Sequence, residues 1–188
     1  MCNFSLKASL IFLLIVMFAI VSKAQDAEGT APDCTRAKPS PLFKKKDIVK
    51  RTFSLRKNKE YPFEHIGTES VKLKNGDDLT IKNYGCHNYS LSFRFKTKRV
   101  SGNTKQVRLW YRNAVELMTP IRKILDEFLV DNGVETLNSY IKSNKKLKFD
   151  ETIYFGGKTI ESVVTVGKPK KLKGKLYEIE ISFGIGPL

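Results

Sequence analysis

Residues 89–96 read YSLSFRFK, and this stretch is the most regular in the chain. Tyr89, Leu91, Phe93 and Phe95 alternate with polar residues. A period of two is typical of an antiparallel strand with one buried and one solvated face. The stretch therefore predicts a central strand whose odd-numbered side chains face the core.

A hairpin precedes this strand. Val71 and Leu73 alternate with lysines, and Leu79 and Ile81 do the same after the sequence KNGD. A three-residue loop ending at Gly76 keeps the apolar residues of both strands on one face, whereas a two-residue turn would place them on opposite faces. We therefore predict that Val71 pairs with Leu79 and that Gly76 takes the left-handed position of a bulged turn.

Helical periodicity replaces the alternation in residues 104–143. Apolar residues recur every three or four positions, and the pair Trp110-Tyr111 is predicted to face the core. Thr119-Pro120 is predicted to break or kink the helix by capping a new one. Asn132-Gly133 is predicted to end that helix, and a shorter helix to follow.

Strand patterns return in residues 146–155, 159–166 and 175–183. The order of strands, helices and strands predicts an α+β fold. We expect an antiparallel β-sheet of about six strands, with two or three helices inserted between two strand blocks and packed on one face. Residues 48–188 are predicted to form this single domain, after an extended polar arm at residues 25–47.

The first 24 residues have the pattern of a cleaved signal peptide. Lys7 precedes the uncharged stretch Ala8–Val21, whose 14 residues are too few for a membrane helix of about 20. Ser22 and Ala24 follow with the spacing of a cleavage site. We expect export to the periplasm or the extracellular medium, with no membrane span in the mature chain. An uncleaved anchor is the alternative.

Cleavage at this site removes Cys2 and leaves Cys34 and Cys86. Two cysteines in an oxidising compartment are more often bridged than reactive, so a Cys34–Cys86 disulfide is predicted. Free thiols, or a metal or catalytic role for Cys86 beside His87, are the alternatives. The close cysteine or histidine pairs of structural zinc sites do not occur in the sequence. No metal site and no cofactor are therefore predicted.

The mature chain is strongly basic. Removal of Lys7 and Lys23 leaves 32 of the 34 basic residues against 19 acidic ones, a net charge of +13. Such a charge favours an anionic partner, which we take to be anionic lipid, glycan or an acidic protein. Nucleic acid is disfavoured because the aromatic residues fall on core-like alternating positions. A solvated lysine coat is the alternative interpretation.

Nine lysines are predicted to gather at one end of the sheet. The strand at 146–155 runs away from its basic start and the next strand returns toward it, so the basic loop 167–174 falls at the same end. This patch is the predicted anion-binding site. Its members are Lys142, Lys145, Lys146, Lys148, Lys168, Lys170, Lys171, Lys173 and Lys175.

Local signatures of catalysis are absent from the sequence, which has no G-x-S-x-G, H-E-x-x-H, P-loop or C-x-x-C motif. No catalytic residue is predicted, and an enzyme is the less favoured reading. The sequence indicates an exported, non-catalytic binding protein. The alternatives are a secreted hydrolase whose acidic residues converge only in three dimensions, and an inhibitor or immunity-type protein.

Overall fold

The computed structural model describes Cys34 and residues 37–44, 46, 48–125, 127–143, 146–157 and 160–186. They form one eight-stranded sheet, with two helices between its first four and last four strands. The strands are β1 (Ile48–Lys57), β2 (His65–Leu73), β3 (Asp78–Tyr84), β4 (Tyr89–Thr97), β5 (Ile153–Gly156), β6 (Glu161–Val166), β7 (Lys170–Lys171) and β8 (Tyr177–Gly186). The helices are α1 (Val107–Leu125) and α2 (Phe128–Ser143). This arrangement confirms the predicted α+β class.

The two strand blocks join through β4 and β8. Hydrogen-bonded neighbours follow the order β1-β2-β3-β4-β8-β6-β5, with β7 also paired to β8, and every pair is antiparallel. Eight strands are present rather than about six, because β1 is fully formed at one edge and β7 lies in the segment predicted to be a basic loop. The helices are inserted between the blocks, as expected.

The hairpin between β2 and β3 has the predicted register. Val71 lies opposite Leu79, and Gly76 adopts a φ of 89°. Its amide donates to the carbonyl of Leu73 at 3.0 Å. Glycine suits this position because a Cβ would clash in the left-handed conformation. The three-residue loop thus keeps the apolar side chains of both strands on one face.

One face of the sheet carries the hydrophobic core. Leu91, Phe93 and Phe95 are completely buried. Phe93 meets Phe183 of β8 edge to face, with ring centroids 5.7 Å apart. The predicted core pair Trp110-Tyr111 of α1 is also fully buried in this cluster. The two helices therefore pack on the core face, as predicted from the alternation in β4.

The predicted start of a new helix at Thr119-Pro120 is wrong, because α1 continues through Pro120 to Leu125. Proline removes one backbone donor and crowds the preceding turn. Met118 and Ile121 on either side are nevertheless buried, and tertiary packing of an apolar face supplies most helical stability in proteins. Thr119 does not cap a new helix but donates its hydroxyl to the carbonyl of Val115 at 2.7 Å.

The predicted helix end at Asn132-Gly133 is also wrong, because α2 runs through these residues to Ser143. Gly133 packs directly against Phe183, and a Cβ built on it would lie 2.5 Å from two carbons of that ring. The glycine permits a close approach of helix and sheet. A glycine within a helical pattern can either allow close packing or end the helix, and the spacing of apolar residues does not distinguish these two roles.

The predicted strand at residues 146–155 is shorter in the structure, where β5 spans only Ile153–Gly156. A turn precedes it, with a positive φ of 59° at Asp150. The amide of Asp150 donates to the carbonyl of Val166 at 3.0 Å, and the Tyr111 hydroxyl donates to the carbonyl of Lys148 at 2.7 Å. These two bonds fix the segment against β6 and α1 without a strand ladder.

Residues 37–44 of the predicted arm lie against the sheet. Phe43 is 2% exposed and belongs to the core. The buried carboxylate of Glu69 accepts hydrogen bonds from the amides of Leu42 at 2.7 Å and Phe43 at 3.3 Å. Arg51 donates to the carbonyl of Phe43 at 2.6 Å. One apolar anchor and three hydrogen bonds thus hold this part of the arm on the core face.

Cys34 and Cys86 form the predicted disulfide, with their Cα atoms 5.1 Å apart. This distance is usual for a bridge. Cys86 lies in the connection between β3 and β4, where Tyr84 pairs with Ser90, so that the odd-numbered side chains of both strands share the core face. The predicted signal peptide, residues 1–24, lies outside the described residues.

Candidate functional site

The side of the sheet opposite the helices is a continuous polar surface. Along β8 the odd-numbered residues from Tyr177 to Phe183 are buried, while the even-numbered residues between them are only half buried. β3 shows the same alternation. We call this second side the open face, defined by the even-numbered residues of β8 and the residues paired with them across the sheet. No element of the described chain packs over it.

The open face is organised in rows that cross the strands, because paired residues of neighbouring strands lie side by side. The first is the charged row, which carries only ionisable side chains. Lys72 Nζ lies 2.9 Å from Asp78 Oδ1, and Lys96 Nζ lies 3.8 Å from Glu178 Oε2. The members of the charged row, from β1 to β7, are Lys50, Lys72, Asp78, Lys96, Glu178 and Lys170.

Two hydroxyl rows follow the charged row. Both are dominated by serine and threonine, each of which donates one hydrogen bond and accepts two. The first consists of Thr52, Ser70, Thr80, Arg94 and Glu180. The second consists of Ser54, Thr68, Lys82, Ser92, Ser182 and Thr165.

Ser92, Arg94 and Glu180 of the hydroxyl rows form one hydrogen-bonded cluster. Arg94 donates to Glu180 through Nε at 2.9 Å and Nη2 at 2.7 Å, and Ser92 donates to the other oxygen of the same carboxylate. Burial raises the pKa of Glu180, but the hydrogen bonds from Ser92 and Arg94 and the charges of Arg94 and Lys82 outweigh it. The pKa therefore stays below its ordinary value.

The last row is aromatic at both ends. Between Tyr154 of β5 and Tyr84 of β3 lie a valine, a glycine and a serine. Tyr154 is 66% exposed. The members of the aromatic row, in order across the sheet, are Tyr84, Ser90, Gly184, Val163 and Tyr154.

A groove of about 460 Å³ opens where β8 meets the link between β6 and β7. Arg94, Lys168 and Lys170 line it together with Asp150, Glu178 and Glu180. Three acidic residues from two segments thus converge, with Asp150 before β5 and Glu178 and Glu180 both on β8, as the hydrolase alternative requires. A general acid for glycoside hydrolysis needs a raised pKa, however, and Glu180 has a lowered one. Glu180 is ionised at neutral pH and acts here as a partner for Arg94.

The predicted anion-binding lysines are divided by the fold. Lys168 and Lys170 line the groove on the open face. Lys171 lies opposite Tyr177, a core-facing residue, and so points away from that face. Lys142 lines a separate cleft between α1 and α2 with Arg108 and Arg112. Four more are exposed in the connections before β5 and between β7 and β8, namely Lys146, Lys148, Lys173 and Lys175. Lys145 lies outside the described residues.

Sequence reasoning identified Lys168 and Lys170 as site residues but missed the rest of the open face. The alternation in β4 already placed Arg94 and Lys96 on the solvated side, which was the available signal. Their proximity to Glu178 and Glu180 depends on the β4–β8 pairing. No short-range pattern reports that pairing.

Among the described residues no group of three or more His, Cys, Asp or Glu side chains could hold a metal ion. In the same part of the chain, no helix is both long and apolar enough to span a membrane. No protein-family model, curated protein or solved structure matches the sequence.

Proposed function

We propose that this is an exported, non-catalytic binding protein that engages an anionic partner of the cell envelope or the extracellular medium through its open face. The observation that carries the proposal is the charge balance of the rows. Six cations lie beside three carboxylates, which gives the rows a net charge of +3. The cations are Lys50, Lys72, Lys82, Arg94, Lys96 and Lys170, and the carboxylates are Asp78, Glu178 and Glu180.

The arrangement of these charges favours reversible binding. Lys96 and Arg94 are each about half exposed beside their acidic partners, so an incoming anion meets cations that are neither buried nor fully neutralised. Exposed charges of this kind attract an anionic surface over roughly 8 Å at physiological ionic strength, and salt screens them. Binding should therefore be strong in dilute buffer and weaken steeply as salt is added.

Export supports the choice of partner. The signal-peptide pattern and a disulfide are both typical of proteins that act outside the reducing cytoplasm. Anionic lipid, acidic glycan and acidic proteins are the common polyanions there. Lys168 and Lys170 belong to this proposed surface because they line the groove. The other predicted lysines would extend the surface at one end of the sheet.

The test is a matched pair of charge variants. The open-face variant carries Lys82→Gln, Lys96→Gln and Lys170→Gln. The control carries Lys38→Gln, Lys105→Gln and Lys123→Gln, which remove the same three charges from exposed positions outside the rows. Retention on heparin-like resin and on anionic vesicles is measured across a salt gradient. For an anionic membrane, each lysine near the surface is worth about 1 kcal/mol.

We expect the open-face variant to elute at clearly lower salt than the control. A second variant, with Lys171→Gln, Lys173→Gln and Lys175→Gln, removes three lysines of the patch predicted from sequence at one end of the sheet. It tests the contribution of that end to retention separately from the contribution of the open face. Equal elution of the open-face variant and its control would refute the open face as the anion-binding surface. Retention of the wild type no stronger than that of a neutral protein would refute anion binding altogether.

A further inference from the structure

We propose that the open face is a binding site for an acidic oligosaccharide, whose sugar rings lie along the aromatic row while its anionic groups meet the neighbouring cations. The inference rests on the proposed function and names the chemical class of its ligand. It differs from a general attraction to polyanions, because it assigns a role to aromatic side chains that electrostatics does not require.

The first observation is the exposure of large aromatic rings at both ends of the row. Tyr154 is 66% exposed at one end. At the other end Tyr84 lines a cavity of about 410 Å³, together with Tyr61, which is 54% exposed. Tyrosine combines an apolar ring face with a polar tip. A sugar ring has the matching surface, with C–H groups on its faces and hydroxyls around its edge.

The second observation is the low floor between these rings. Gly184 has no side chain in the middle of the row, where a Cβ would lie 3.0 Å from Val163 Cγ2 and 3.9 Å from Ser90 Oγ. Four strand spacings separate Tyr84 from Tyr154, which is roughly 19 Å. The result is a trough with aromatic ends and a floor formed by Ser90, Gly184 and Val163, long enough for several linked sugar rings.

The third observation is the order of the rows beside the trough. A hydroxyl row lies next to it, and serine and threonine can both donate to and accept from sugar hydroxyls. Lys82 and Arg94 stand within the hydroxyl rows. Arg94 commits Nε and Nη2 to Glu180, so three of its five N–H donors remain for a sulfate or carboxylate.

A lipid bilayer would use this surface differently. Electrostatic attraction to its headgroups needs exposed cations but no ring faces, so this part of the affinity should not depend on Tyr61 or Tyr154. An acidic oligosaccharide should depend on both the rings and the cations. The aromatic contribution should also survive in high salt, where the electrostatic one is screened.

The experiment removes one exposed tyrosine at each end of the trough in a single variant, Tyr61→Ala, beside Tyr84, with Tyr154→Ala. The matched control is Phe128→Ala, because Phe128 is 79% exposed at the start of α2, away from the open face. Titration calorimetry measures binding of a heparin-derived oligosaccharide, its desulfated counterpart, and vesicles containing phosphatidylglycerol. Thermal unfolding confirms that each variant is folded.

We expect the double variant to bind the oligosaccharide at least tenfold more weakly, a change of about 1.4 kcal/mol. The loss should persist at high salt, and vesicle binding should be unchanged. Phe128→Ala should match the wild type in every measurement. A second variant, Ser90→Val, keeps both tyrosines and fills the trough with a residue that suits a strand, so it should reproduce the loss.

Other outcomes decide against the inference in distinct ways. If the double variant and Ser90→Val both bind the oligosaccharide like the wild type, the aromatic row has no part in binding. If the double variant loses vesicle binding instead, the tyrosines contact lipid. In either case the Lys82, Lys96 and Lys170 variant tests the proposed function separately, because it reports on charge alone.

Discussion

Replacement of Gly133 by alanine should destabilise the fold, although alanine is the better helix former. Without tertiary contacts, the exchange in a helix interior would stabilise by about 1 kcal/mol. The new methyl group would lie 2.5 Å from Cδ1 and Cε1 of Phe183 and 3.3 Å from Cζ of Phe155. Phe183 is only 1% exposed and its ring is held against Phe93. The ring therefore has little room to move.

The magnitude follows from these two opposing effects. Adding a methyl group to a packed core costs about 1 to 3 kcal/mol, and contacts this short point to the upper part of the range. After the gain in helix propensity, Gly133→Ala should be less stable by roughly 1 to 2 kcal/mol. For a domain of this size, the unfolding midpoint should fall by about 2 to 8 °C.

Chemical and thermal unfolding of the disulfide-bonded protein measure this change. Gly157→Ala is the matched control, because a Cβ at Gly157 meets no atom within 4 Å. It should be neutral or stabilise slightly. The double variant Gly133→Ala with Phe183→Leu should lose less stability than the sum of its single changes, since the smaller side chain relieves the contact. A Gly133→Ala protein as stable as the wild type would refute the packing role of this glycine.

Three further predictions concern the disulfide and the two faces of the sheet. Thiol titration of the denatured, unreduced mature protein should find no free thiol, and two thiols would contradict the Cys34–Cys86 bridge. Phe93→Ala should lower the unfolding free energy by about 3 to 5 kcal/mol, while Arg94→Ala should lower it by at most about 1 kcal/mol. Similar losses for both would mean that the faces are reversed. The lowered pKa of Glu180 implies that its stabilising effect is present above the ordinary pKa of about 4.3 and disappears as pH falls through the lower folded value. Acid unfolding curves of Glu180→Gln should therefore show a smaller loss of stability in this range than the wild type, and identical curves would contradict the linkage.

Local patterns predicted the elements that depend on nearest neighbours. The alternation around Phe93 identified the buried face of β4, and the chemistry of the KNGD turn fixed the pairing of Val71 with Leu79. The pairing of Cys34 with Cys86 followed because the predicted cleavage would leave only these two cysteines. The strand and turn predictions use residues only a few positions apart. The disulfide prediction had only one possible pair of cysteines.

The two wrong predictions of helix boundaries also have a physical cause. Pro120 and Gly133 each carry a local signal for a helix boundary, which is overridden by burial of the surrounding residues against the sheet. Burial of an apolar side chain contributes about 1.5 to 3 kcal/mol, so a few such contacts exceed the local preference. The sequence shows the preference of the residue but not the surface that will face it.

The candidate site was less accessible from sequence than the fold. Its polar residues were recognisable one strand at a time, as the solvated half of an alternating pattern. Ser92 and Glu180, which share a hydrogen bond, are 88 positions apart. Their contact depends on which strand of the second block docks beside β4, and the same alternation would fit several partners.

The sequence by itself determined the class of fold, the face of each strong strand that is buried, the disulfide and the basic character of the protein. These properties follow from periodicity, composition and counting, which act within a strand or over the whole chain. The tertiary structure decided the rows of the open face, since a row exists only where register sets residues of different strands about 4.8 Å apart. It also divided the predicted lysines, because strand pairing turned Lys170 toward the open face and its neighbour Lys171 away from it.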